Sequence, residues 1–161
     1  FDAARRLAHR RDIVFDHVGG ALDAALASEA RALAATLPTY RWLGALPHAA
    51  ARARIAAAHL LVHPSRMEGG AQVVIEAVTS GTPVLASRID GNVGLLGAGY
   101  GGLFEPGDAT GLAALVERAR DDAAMLPALQ AQCAALAPRF APAREREALL
   151  ALVADLLAGR R

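Results

Sequence analysis

Two carboxylates, Glu68 and Glu76, stand eight positions apart in the most polar stretch of the chain, His63-Pro64-Ser65-Arg66-Met67-Glu68-Gly69-Gly70-Ala71-Gln72-Val73-Val74-Ile75-Glu76-Ala77. Glu68 directly precedes two glycines, which lack Cβ atoms and so let a ligand approach the backbone closely. A helix follows, and the free N–H groups of a first helical turn attract anions, phosphate among them. A diphosphate suits this place. Glu76 interrupts Val73-Val74-Ile75-Glu76-Ala77-Val78, a helical segment apolar almost all round and therefore buried. An unpaired buried carboxylate costs several kcal/mol, so Glu76 needs a hydrogen-bonding partner or an open cleft. Two vicinal sugar hydroxyls, each donating to one oxygen, meet that need. A neighbouring arginine or a backbone turn meets it equally well.

The surrounding pattern predicts the elements that hold these residues. Phe1 to Ala8 reads as the inside of a helix. Asp12 to Val18, closed by Gly19-Gly20, reads as a buried strand entering a turn, and Ala21 to Leu37 as an amphipathic helix ending before Pro38. Tyr40 to Gly44 is extended, Ala49 to Ala58 helical, and His59 to His63 a strand stopped by Pro64. Ser65 to Gly70 is a loop, Ala71 to Ser80 a helix, Gly81 its C-terminal glycine, and Thr82 to Ser87 a strand. A glycine-rich stretch, Gly91 to Gly102, leads to a short strand Leu103-Phe104. Asp108 caps a helix Ala109 to Arg120, and two more helices follow, interrupted near Pro138 and Pro142.

Strands alternating with helices across short turns predict an α/β fold, a mostly parallel sheet with helices on both faces. Ligands of such sheets bind at the carboxyl ends of the strands, which directs attention to the loops after Val18, Leu43, Val62 and Ser87. His63 ends its strand immediately before the Glu68 loop and is placed to line that cleft.

Composition narrows the function. The 161 residues fit one domain, and 17 basic against 16 acidic residues leave a net charge of +1, which recruits no nucleic acid. Every basic residue is arginine and alanine makes up about a quarter of the chain, so a single arginine carries less functional information than usual. The lone Cys133 excludes an internal disulfide and suits a reducing cytoplasm. No apolar run approaches the roughly 20 residues needed to span a bilayer. Gly97-Ala98-Gly99-Tyr100-Gly101-Gly102 matches G-x-G-x-x-G but runs into an extended segment, whereas a dinucleotide fingerprint opens a helix. His59 and His63 flank a strand, where four residues span roughly 13 Å, so a metal site is not expected there. Ser65 lacks the context of a catalytic serine. Trp42 reads as packing, and Arg160-Arg161 as a solvated tail.

Arg66-Met67-Glu68-Gly69-Gly70, Glu76-Ala77 and Gly81-Thr82-Pro83-Val84-Leu85-Ala86 resemble the Glu-x7-Glu signature of GT-B family 4 (group 1) glycosyltransferases. Trp42-Leu43-Gly44 and Gly102-Leu103-Phe104-Glu105-Pro106-Gly107-Asp108 are similar to two further segments of that family, in the same order. The resemblance implies the C-terminal, donor-binding, Rossmann-like half of a two-domain GT-B enzyme, spanning residues 1–161. It implies that Glu76 holds the ribose of a nucleotide-sugar, that Glu68, the candidate catalytic residue, positions the donor sugar, and that backbone amides of Gly69, Gly70 and Ala71 face the sugar and diphosphate. Gly44 and Ala45 would lie near the nucleobase. A retaining, metal-independent transfer is implied, with a UDP-, GDP- or ADP-sugar as substrate and no cofactor.

Two departures qualify this expectation. The family's G-G-x-x-E is here Asp90-Gly91-Asn92-Val93-Gly94, without the glutamate. The family's first strand of this domain, its diphosphate-binding loop and the N-terminal acceptor domain are expected upstream, so this chain is not expected to catalyse alone. Leu85-Ala86-Ser87-Arg88 and Gly91 to Gly97 are also similar to the selenosugar synthases, which join a UDP-N-acetylhexosamine to selenophosphate; there Arg66 or Arg88 would hold the inorganic acceptor. A non-catalytic nucleotide-sugar-binding module and an NAD-binding Rossmann domain are the competing readings.

Overall fold

In the computed structural model, which describes residues 1–159, helix α1 (Asp2–Arg6) leads into strand β1 (Phe15–Val18), helix α2 (Ala24–Thr36) and strand β2 (Tyr40–Gly44). Helix α3 (His48–Ala57), strand β3 (Leu61–His63), helix α4 (Gln72–Thr79) and strand β4 (Val84–Ser87) follow. Helix α5 (Asp90–Leu96), strand β5 (Leu103–Phe104) and helices α6 (Ala109–Asp121), α7 (Met125–Leu136) and α8 (Pro142–Leu157) complete the order, with a 3-10 turn at Ala137–Phe140 between the last two. The side chains of Asp23 and Asp108 cap α2 and α6, accepting from the Leu26 and Gly111 amides at 2.8 Å each. These bonds satisfy N–H groups that a helix start leaves without partners.

Every strand pairing is parallel, as the alternation of elements predicts, but the strands form two ladders instead of one sheet: β1 with β2, and β3, β4, β5 in that order. Among the described residues no strand bridges β1 and β3. The sides are joined by packing, for Phe15 touches both the main core and the smaller cluster of Ala4, Leu33, Leu37 and Tyr40. All four residues of β4 are buried. Successive side chains of a strand point to opposite faces, so helices or loops cover β4 on both. Its first amide, at Val84, donates to the Tyr100 hydroxyl at 3.0 Å, and that hydroxyl lies 3.4 Å from the fully buried Cys133 thiol. Burial pushes both groups' pKa values up.

Two expected boundaries shift. The first strand begins at Phe15 because residues before it turn, with the Arg10 amide bonded to the Leu7 carbonyl. The second helix begins at Ala24, fixed by the Asp23 cap. The larger correction concerns the glycine-rich stretch: Gly91 and Gly94 lie inside α5, and only Gly97 ends it, with a φ of 89°. Gly91 is required by close approach, since a Cβ there would collide with the Glu68 carbonyl oxygen. Gly94 is exposed, and a Cβ there would meet open space. The tail Arg160-Arg161 lies outside the described residues.

The two glycines of α5 therefore respond oppositely to alanine. Gly94→Ala is expected to stabilise the protein by about 0.5–1 kcal/mol through helix propensity, and Gly91→Ala to destabilise it by about 1–3 kcal/mol through overpacking. Urea unfolding midpoints of the two variants measure this; a shift in the same direction for both would contradict the packing described.

Candidate functional site

The carboxyl ends of β2, β3 and β4 carry the polar residues singled out in the sequence. Gly44, at the end of β2, takes a φ of 68°, a left-handed conformation that favours glycine. Its carbonyl accepts from the Gly19 amide at 2.8 Å, so the turns after β1 and β2 are tied together. Ala45 follows, exposed, and Pro47 brings the chain into α3 with His48 as its first residue.

Glu76 is 8% exposed, on a helix buried on more than one side: Val74 and Val78, also buried, point about 160° round the helix from it. Its partner is neither of those expected from sequence: the His48 Nε2 lies 2.7 Å from Glu76 Oε1. Among the described residues no arginine reaches the carboxylate. His48 itself is 73% exposed, so one oxygen of a buried carboxylate is held from the solvent side. The sequence signal that could have found His48 is its place, immediately after the β2 turn at the start of a helix that has no buried residue. It lay outside the histidine pair His59 and His63 that its spacing made conspicuous.

Glu68 is exposed in the loop between β3 and α4, where it accepts from the Ser65 hydroxyl at 3.2 Å. The Ser65 carbonyl accepts from the Ser87 hydroxyl at the end of β4. Asn92 in α5, fully buried, donates to the Ser87 carbonyl at 2.9 Å. Together with the Gly91 contact, this chain of bonds seats the Glu68 loop on β4 and α5. Gly69 and Gly70 are exposed, with open space where a Cβ would point and no positive φ. Neither packing nor turn geometry among the described residues demands glycine there, and the backbone of the pair is open to approach. Ala71 is the N-cap of α4 and makes no side-chain capping bond; the Val74 amide turns back to the Ala71 carbonyl at 3.0 Å, and the start of the helix is otherwise bare.

Arg66, Met67 and Glu68 line a shallow cleft of about 320 Å³ with Ile89 and Asp90. Arg88 is turned elsewhere, toward Glu105 at 3.3 Å and the Ala98 carbonyl at 3.4 Å. His63 does reach this region, with Nε2 3.9 Å from Glu68 Oε1. Burial lowers its pKa below the ordinary 6.5, against smaller opposing effects of the Glu68 charge and the Asn92 side chain. The buried His63 Nδ1 and Asn92 Oδ1 each lack a partner in hydrogen-bonding geometry. Among the described residues no group of three or more His, Cys, Asp or Glu side chains could hold a metal ion. No described helix is long and apolar enough to cross a membrane. The Gly97–Gly102 stretch passes from the end of α5 into β5 and so opens no helix.

Parallel βα units with a buried carboxylate, an exposed one and a bare helix start gathered at their strand ends define an α/β protein of the Rossmann-like type. The chain belongs to the glycosyl transferases group 1 family, whose pattern matches residues 1–136. No curated protein matches the sequence. Among solved structures, Anabaena Alr3699/HepE in complex with UDP-glucose is similar over 94% of this chain and 44% of its own, with 22% identity and a TM-score of 0.76. Sucrose-phosphate synthase from Thermosynechococcus elongatus is similar over 98% of this chain and 42% of its own, at 25% identity and a TM-score of 0.76. WaaG, a glycosyltransferase involved in lipopolysaccharide biosynthesis, is similar over 85% and 38%, at 21% identity and a TM-score of 0.68. The chain thus spans less than half the length of each.

The depressed pKa of His63 has a stability consequence. The unfolded chain takes up a proton on this residue near pH 6.5, the folded one only at lower pH, so stability contributed here is full above that value and falls as pH drops through it. Urea unfolding at about pH 7.5 and about pH 5.5 is expected to show a smaller acid-induced loss in His63→Gln than in wild type. Equal losses would show that His63 is not the buried titrating group.

Proposed function

We propose that this chain is the donor-binding half of a retaining group 1 glycosyltransferase and that its substrate is a UDP-sugar. The observation that carries the reading is Glu76, a buried carboxylate with one oxygen held by His48 and the other without a protein partner among the described residues. Such a group accepts hydrogen bonds from a ribose diol without further rearrangement. Glu68, exposed beside the bare start of α4, positions the donor sugar, while amides of Gly69, Gly70 and Ala71 face the sugar and diphosphate. Gly44 and Ala45 border the nucleobase, and His63 and Arg66 complete the donor and acceptor sides of the cleft. The similarity to HepE, whose structure holds UDP-glucose, supports the uridine donor.

In the transfer, the bond from anomeric carbon to diphosphate oxygen breaks and the diphosphate keeps the electron pair; the acceptor forms the new bond on the face the diphosphate left, and any proton it carries passes to the departing diphosphate. Donors preorganised toward the departing charge lower the barrier, and the α4 start supplies backbone N–H groups for this. No metal or other cofactor is needed in this scheme. An N-terminal acceptor domain of the full-length protein supplies the acceptor contacts, and its closure excludes water. The finer reading is a cytoplasmic selenosugar synthase acting on a UDP-N-acetylhexosamine and selenophosphate, with Arg66 toward the anion; Arg88, occupied by Glu105, is a poorer candidate. Gly94 in place of the family's glutamate favours a second reading, a module that binds nucleotide-sugar without catalysis.

Titration of this chain with UDP, and turnover of UDP-sugars with selenophosphate by the full-length protein, separate these readings. Glu76→Ala is expected to weaken UDP binding about 10- to 100-fold, the range for lost hydrogen bonds to a charged group, and to abolish turnover. Unchanged UDP affinity in that variant would overturn the ribose assignment. UDP binding without turnover of any UDP-sugar would favour the non-catalytic module.

A further inference from the structure

We infer that His48 is a positioning residue for nucleotide recognition, fixing the plane of the Glu76 carboxylate and coupling it to the turn after β2. The inference rests on the ribose reading of Glu76 given above. Its own basis is geometric. The carboxylate sits on a buried helical face, yet the group that holds it comes from a different element, at 2.7 Å, and from the solvent side. Glu76 Oε1 is therefore taken, while Oε2 is neither bonded within the described chain nor sealed from solvent. A carboxylate held at one oxygen and open at the other has a defined orientation before a ligand arrives. Each oxygen carries two acceptor sites, so Oε1 can keep His48 and still accept a hydroxyl.

The second half of the inference follows from where His48 stands. It is four residues after Gly44, whose left-handed conformation and bond to the Gly19 amide fix the turn. Between them lie only Ala45, Leu46 and Pro47, and proline restricts the chain further. A single hydrogen bond thus joins two places that would touch different parts of one nucleotide, Gly44 and Ala45 at the base and Glu76 at the ribose. Preorganisation of this kind raises affinity by removing ordering costs on binding, without any new contact to the ligand. Because His48 donates through Nε2, an amide side chain of similar reach can replace it.

The test measures, in the full chain, the affinity for whichever of UDP, GDP or ADP wild type binds most tightly, and for its 2′,3′-dideoxy analogue. His48→Ala is expected to weaken the ribonucleotide roughly three- to tenfold, one ordinary hydrogen bond's worth, and to leave the dideoxy analogue unchanged. His48→Gln is expected to recover most of the loss, and His48→Ala in a Glu76→Gln background to add none. Thermal stability of His48→Ala is expected to fall, because the buried Glu76 carboxylate loses its protein donor; the unchanged dideoxy affinity separates that loss from a general defect of the site. Equal weakening of both nucleotides, or no weakening, overturns the positioning role. Failure of Glu76→Gln to reduce the preference for ribose over dideoxyribose, or binding of none of the three nucleotides, overturns instead the ribose reading beneath it.

Discussion

A carboxylate buried on an otherwise apolar helix sets the terms for the arrangement around it. Val74, Ala77 and Val78 bury one side of α4 in the core, and Glu76, about 160° round the helix from Val74 and Val78, is buried on another. The cost of desolvating the charge is offset only if a donor reaches it, and the donor, His48, comes from a neighbouring βα unit. Helix α4 is thereby tied to α3 by an interaction that is polar, directional and open to solvent at one end. The backbone supports the same junction, since the Thr82 hydroxyl donates to the Ile55 carbonyl at 2.9 Å.

The Glu68 loop shows a complementary solution. Its carboxylate is exposed and costs little to keep charged, so the structure provides geometry for the loop instead of a partner for the charge. Ser65, Ser87 and Asn92 link the segment after β3, the end of β4 and the first turn of α5 through hydrogen bonds that seat the loop. The two glutamates of one motif are thus held by opposite means, one by a single donor from outside and the other by a network from below. Both leave at least one carboxylate oxygen for an external hydroxyl.

Much of this was readable from residue types. The β3–loop–α4–β4 block lay open in the sequence because Pro64, Gly69-Gly70, Gly81 and Pro83 punctuate apolar runs of clear period, and Asp108 announced α6 by its capping chemistry. Helix α5 was hidden because glycine reads as loop when its role is tertiary: Gly91 answers to the Glu68 carbonyl, which no local pattern reveals. His48 was hidden for a similar reason, being one exposed histidine whose meaning depends on a residue 28 positions away. The division of the strands into two ladders was also illegible, since strand content predicts pairing partners only through contacts distant in sequence.

The contact between Gly91 and the Glu68 carbonyl makes one element the template for another. The backbone of α5 serves as the mould against which the Glu68 loop is cast, and any side chain at position 91 would lift that loop. Residue 91 and the conformation of residues 65–70 are therefore physically coupled. A chimaera that exchanged the loop alone between relatives would carry over its glutamate and lose its shape, whereas one that exchanged residues 63–92 together would transplant the mould with the casting.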